Sequence, residues 1–240
     1  MVRRPAALLI AAYGLTLAYF LVSPSLPDVG GSGDLNTLVS DLPATLLLGC
    51  CVLALVGARD EPAALALVAL GAGLVLGAVT VAAETTTAIA LSGVLKALFA
   101  AGVGMLGAWL LAEPAILVAV PLFAAGIDAA SVAGGPSELL SHGTGRATDF
   151  LSVYLPAWGG GRAGLLGVAD LIFLAFFAAG AWRFGLRRRV TGLALLAAAP
   201  AAVGLSVGLD ATIPVIPLLA GALLLPNLDR LPLLARQPAA

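Results

Sequence analysis

Charge is scarce in this chain. Only 10% of its 240 residues are Asp, Glu, Lys or Arg, against about 25% in soluble domains. A net charge of −1 leaves no basic face for nucleic acid, and the acidic residues form no run that would make a solvating tail. Histidine occurs once, at His142, and cysteine twice, side by side at Cys50 and Cys51. No Cys/His ligand spacing therefore exists, and neither a metal site nor a Cys/His catalytic pair is expected. Adjacent cysteines inside an apolar run cannot bridge each other without a strained ring, so they read as small buried hydrophobes. These shortages exclude disorder, collagen-like fibres, disulfide scaffolds and soluble globular enzymes.

What the chain has instead is apolar mass: 61% hydrophobic residues and a mean hydropathy of +1.08. Lipid offers no partner to an unpaired backbone group, so helices are the expected solution, and a span needs about 20 apolar residues. Eight runs qualify, near 5–23, 42–58, 63–83, 87–112, 114–133, 163–183, 190–208 and 212–226. The expected fold is all-α: one transmembrane domain over 1–240, multi-pass in the plasma membrane. Its N-terminal helices occupy 1–113, and 114–226 carries the chemistry. Arg3, Arg4, Arg59, Arg183, Arg187, Arg188, Arg189, Arg230 and Arg236 all fall on one side of such a bundle, which puts both termini in the cytoplasm. The other side receives Asp28, Asp34 and Asp41, then Glu84, then the long connection 134–162, within which 139–154 reads as a short interfacial helix.

Ionisable groups in hydrocarbon are costly, about 3 kcal/mol on insertion scales, so each is a functional candidate. Asp128, Asp170 and Lys96 are the three. Asp128 stands about five residues before the surface carrying the 134–162 connection and Asp170 about seven after it, near ~8 and ~10 Å deep at ~1.5 Å per residue. Two carboxylates that meet at one level cannot both ionise. A shared proton leaves one as general base toward water and the other as general acid toward a carbonyl. A third element falls on the same layer: Pro214, Val215, Ile216 and Pro217 open the last run. Two prolines three apart leave backbone groups unpaired by the helix, an edge to which an extended substrate could add.

An Asp in one helix, Gly-x-Gly-Asp in the next and a Pro-Ala-Leu-Pro motif opening the last resemble the presenilin and signal peptide peptidase group of intramembrane aspartyl proteases. Asp128 matches the first aspartate, Gly167-Val168-Ala169-Asp170 the second motif and Pro214-Val215-Ile216-Pro217 the third. The likeness covers about 114–226. Here Ile127 precedes the first aspartate, Ala169 replaces the second motif glycine, and Val215-Ile216 replace Ala-Leu. The resemblance implies a catalytic pair of Asp128 and Asp170, with Gly167, Pro214, Val215, Ile216 and Pro217 positioning a membrane-spanning or signal-peptide substrate. It implies no cofactor and no metal. The alternatives are a non-catalytic relative, or a small proton-coupled transporter using Lys96 with an intramembrane aspartate.

Overall fold

The computed structural model describes residues 4–29, 33–58, 71–73, 75–76, 85–111, 113–133, 150–160 and 162–234. The expected span 63–83 lies largely outside these residues, as do Arg59, Glu84, His142, Arg146 and Arg236. The described chain is mostly helical: α1 (Arg4–Val22), α2 (Gly33–Gly57), α3 (Thr86–Leu110), α4 (Ile116–Ala133), α5 (Val168–Arg183), α6 (Arg188–Leu209), α7 (Val215–Leu224) and the short α8 (Leu231–Leu234). Four of these, α1, α2, α3 and α6, are long and apolar enough to cross a membrane among the described residues. Exposed apolar side chains such as Leu8, Ile10, Phe123 and Leu193 sit on their outer faces and on α4. A bilayer would cover such faces where water would not.

The bundle is organised around α3 and α5. Ala97, Ala100, Ala101 and Ala108 on α3, with Ala175, Ala178 and Ala181 on α5, are all buried. With no hydrophobic drive between helices in lipid, close approach of small residues supplies the packing. At Gly104 the approach is tightest, since a Cβ there would lie 2.8 Å from the Phe176 backbone nitrogen and would collide with the Ile172 carbonyl. Thr85 caps the start of α3 by accepting the Ala88 N–H at 3.3 Å, satisfying one of the helix's free donors. At the other end of the molecule buried Asn227 accepts the Arg187 N–H and donates to Thr191 Oγ1 and the Leu223 carbonyl.

The all-α expectation fails in one place. Residues 163–167 do not continue a helix from 183 but form a strand, β2 (Arg162–Gly167), paired antiparallel with β1 (Ser152–Pro156). The register sets Ser152 opposite Gly167 and Val153 opposite Leu166, with an irregularity between Tyr154 and Pro156. So 152–154, expected as the end of an interfacial helix, are strand; 139–149 lie outside the described residues. The turn uses positive φ at Gly159 (82°) and Gly160 (93°), backbone that favours glycine.

Three helices hold this hairpin in place. Gly159 donates to the Leu26 carbonyl at 2.7 Å, Asn36 Nδ2 on α2 donates to the Trp158 carbonyl at 3.0 Å, and Trp158 Nε1 reaches Tyr19 Oη on α1 at 3.2 Å. From α3, Lys96 Nζ donates to the Ser152 carbonyl at 2.7 Å and lies 5.9 Å from the centre of the Tyr154 ring. Lys96 is 1% exposed. It therefore neither snorkels to a surface nor stands loose in the bundle.

Candidate active site

Gly167 ends β2 and caps α5, with extended backbone at φ −66° and ψ 137°. Asp170 is thus the third residue of its helix rather than a residue two turns inside one, as the continuous run 163–183 implied. Its Oδ2 accepts the Gly167 N–H at 3.1 Å, which ties the carboxyl to the strand-to-helix junction. The glycine has a steric reason: a Cβ at 167 would stand 2.9 Å from that oxygen. Ala169, in place of the second motif glycine, is exposed and meets no such restriction.

Asp128 lies five residues before the end of α4. Its Oδ2 accepts the N–H of Ile216 at 3.2 Å. Pro214 is the extended cap of α7, at φ −65° and ψ 133°, and the helix begins at Val215 rather than 212. The Ile216 N–H is one of the first-turn donors that a helix cannot satisfy itself. The motif's donor is consequently occupied by Asp128, where the sequence suggested it would be open. A carboxylate on a helix N-terminus also gains from the positive end of the dipole.

No hydrogen bond joins Asp128 and Asp170; each accepts from a backbone N–H instead. Their helices are not close antiparallel neighbours throughout. Leu117 of α4 packs on Gly180 of α5 at one end, while toward the aspartates α7 packs against both. There a cleft of about 630 Å³ opens. Asp128 lines it with Phe123, Ile127, Ser131, Phe173 and Ile216; Phe173 stands one turn beyond Asp170 on the same face of α5. The cleft is thus mostly apolar, with one carboxyl group, that of Asp128, in its wall.

Of the expected site residues, Gly167 with Asp170, and Asp128 with Ile216, are brought into direct contact, while Pro214, Val215 and Pro217 build the turn that presents Ile216. Two features escaped the sequence reading. One is the hairpin, whose signal was present: two apolar runs separated by a short segment with Gly159, Gly160 and Gly161. The other is Asp41. It was expected in the outer loop, but α2 starts at Gly33, so it lies about two turns inside a helix and is buried. Comparison with family models, curated proteins and solved structures finds no match to this chain.

Proposed function

We propose that the protein is an intramembrane aspartyl protease, integral and multi-pass in the plasma membrane, that cleaves single-span or signal-peptide segments without metal or cofactor. The observation that carries this reading is the hydrogen bond from Ile216 N–H to Asp128 Oδ2. It joins two of the three motif segments, and α7 packs on the helix that carries the third.

Strand β2 supports the same reading. Non-helical backbone at membrane depth is tolerated only where protein or a water-filled cavity covers it, so a strand leading to Gly167 and Asp170 is a place for water and an extended chain. A substrate strand adds beside β2 by main-chain hydrogen bonding, which brings its scissile bond to the junction at Gly167. One aspartate then accepts a proton from water as the water oxygen attacks the carbonyl carbon. The other donates its proton to the carbonyl oxygen. The resulting gem-diol collapses as one of its hydroxyls returns a proton to the second aspartate, the C–N bond breaks, and the leaving amine takes the proton removed from water.

The transporter reading has less behind it, because the Lys96 ammonium is bonded to the Ser152 carbonyl of β1. The deciding experiment is cleavage of a reporter span in liposomes by Asp128→Asn and Asp170→Asn separately. Each loses about 10²-fold or more in rate with an unchanged melting temperature, and a chelator leaves the unmodified protein's rate untouched. Cleavage at the unmodified rate by either variant refutes the assignment; loss of folded protein in both makes the pair structural.

A further inference from the structure

A second cavity, of about 470 Å³, opens between α2, β2 and the connection from α6 to α7. Thr37, Asp41 and Thr45 recur at four-residue intervals and so line it from one face of α2. Ser206 and Asp210 line it from the end of α6. Asp41 is 3% exposed, and its Oδ1 has no hydrogen-bond partner. Its carboxyl packs directly on β2, where a Cβ on Gly164 would collide with Oδ2. A buried carboxyl left without a donor is costly and demands an explanation.

The surrounding hydroxyls do not supply that donor. Thr45 Oγ1 donates to the Asp41 and Leu42 carbonyls and Thr37 Oγ1 to the Gly33 carbonyl, while Ser206 Oγ accepts the Ile213 N–H. No Lys, Arg or His occurs among its described lining residues, and no group of three His, Cys, Asp or Glu suited to a metal ion occurs among the described residues. A space rich in acceptors, with two carboxyl groups and no Lys, Arg or His among its described lining residues, is complementary to a single cationic group. Its position identifies the source. Gly164, Leu165 and Leu166 of β2 form one wall, and Thr212, Ile213 and Val215, leading into the proline motif, form another. A strand added beside β2 would pass through it.

We propose that Asp41, with Asp210 opposite, forms a specificity subsite for the cationic side chain of a lysine or arginine in the extended substrate. The assignment rests on the protease reading only for the path of the substrate strand. Binding is therefore measured apart from cleavage, on the full chain in lipid nanodiscs carrying Asp170→Asn. The probes are labelled single-span peptides with one lysine moved position by position, each with a norleucine twin. At one register the lysine peptide binds about 10-fold or more tightly than its twin. Asp41→Asn abolishes that preference and leaves the norleucine affinity unchanged. Should Asp41→Asn fail to fold, shown by loss of norleucine binding as well, Gly164→Ala decides, because its methyl presses on the carboxyl and must weaken the lysine preference. The proposal falls if no register prefers lysine, if the preference survives Asp41→Asn, or if Gly164→Ala leaves it intact. It also falls if sodium, exchanged for choline at constant ionic strength, binds in an Asp41-dependent way and displaces the lysine, since the site then belongs to a free ion. Cleavage of the same peptides by the unmodified chain is followed in parallel: absence of cleavage with lysine-dependent binding overturns the protease reading and leaves the subsite standing.

Discussion

Replacing Gly104 by alanine adds one methyl at the closest approach of α3 and α5. An ideal Cβ there would overlap the Ile172 carbonyl and stand 2.6 Å from the Ala175 Cβ and 2.8 Å from the Phe176 nitrogen. None of these three atoms can rotate away, so the helices must separate, and overpacking of this kind costs about 1–3 kcal/mol. The same substitution also brings a benefit, because alanine favours a helix interior by up to about 1 kcal/mol over glycine. Gly14 on α1 and Gly204 on α6 are helical glycines whose added Cβ would meet nothing within 4 Å, so there the propensity gain acts alone. Subtracting the Gly14→Ala change from the Gly104→Ala change cancels the propensity contribution and leaves the packing cost, about 1–3 kcal/mol. Thermal or denaturant unfolding of the three variants in one detergent measures it. The expected order is Gly104→Ala least stable, with Gly14→Ala and Gly204→Ala at or above the unmodified chain. If Gly104→Ala matches the other two, the α3–α5 contact is not as close as described, and the placement of Asp170 on α5 loses its support.

Gly167→Ala should act on rate rather than on stability. Its methyl meets only the movable Asp170 carboxyl, 2.9 Å away, and displacement of a reacting group by about 1 Å costs on the order of 10²-fold; kcat should fall with little change in KM or melting temperature. Lys96→Met removes the ammonium from the Ser152 carbonyl and should cost about 1.5–3 kcal/mol, the range for a hydrogen bond to a charged group, with faster amide exchange in β1 and β2 as the local readout. Asn227→Ala strips a fully buried side chain of three hydrogen bonds and should destabilise by about 1–3 kcal/mol for the groups left unpaired. Asp229→Ala breaks the exposed Arg187 ion pair, whose side chains are 46% and 58% exposed, and should change unfolding by less than about 1 kcal/mol. Equal effects from these last two would overturn the ranking of buried over exposed contacts.

Composition alone led to an apolar, mostly helical chain with helices able to span a membrane, because 10% charge cannot clothe a bundle in water. Residue order carried further: Asp128, Asp170 and the prolines at 214 and 217 stand out locally, since a carboxylate in an apolar run and a missing backbone donor are properties of single positions. Whether an apolar stretch is helix or strand is not such a property. Arg162–Gly167 is strand because Ser152–Pro156 pairs with it and because α1 and α2 grip the turn while α3 holds the start of β1, contacts from more than a hundred residues away in the case of Asn36 and Trp158. Tertiary packing likewise moved Asp170 to the mouth of its helix, gave the Ile216 donor to Asp128, and turned Asp41 from a loop acid into a buried one. In each case burial and hydrogen-bond partnership are set by neighbours distant in the chain, and a period read along one segment holds no record of them.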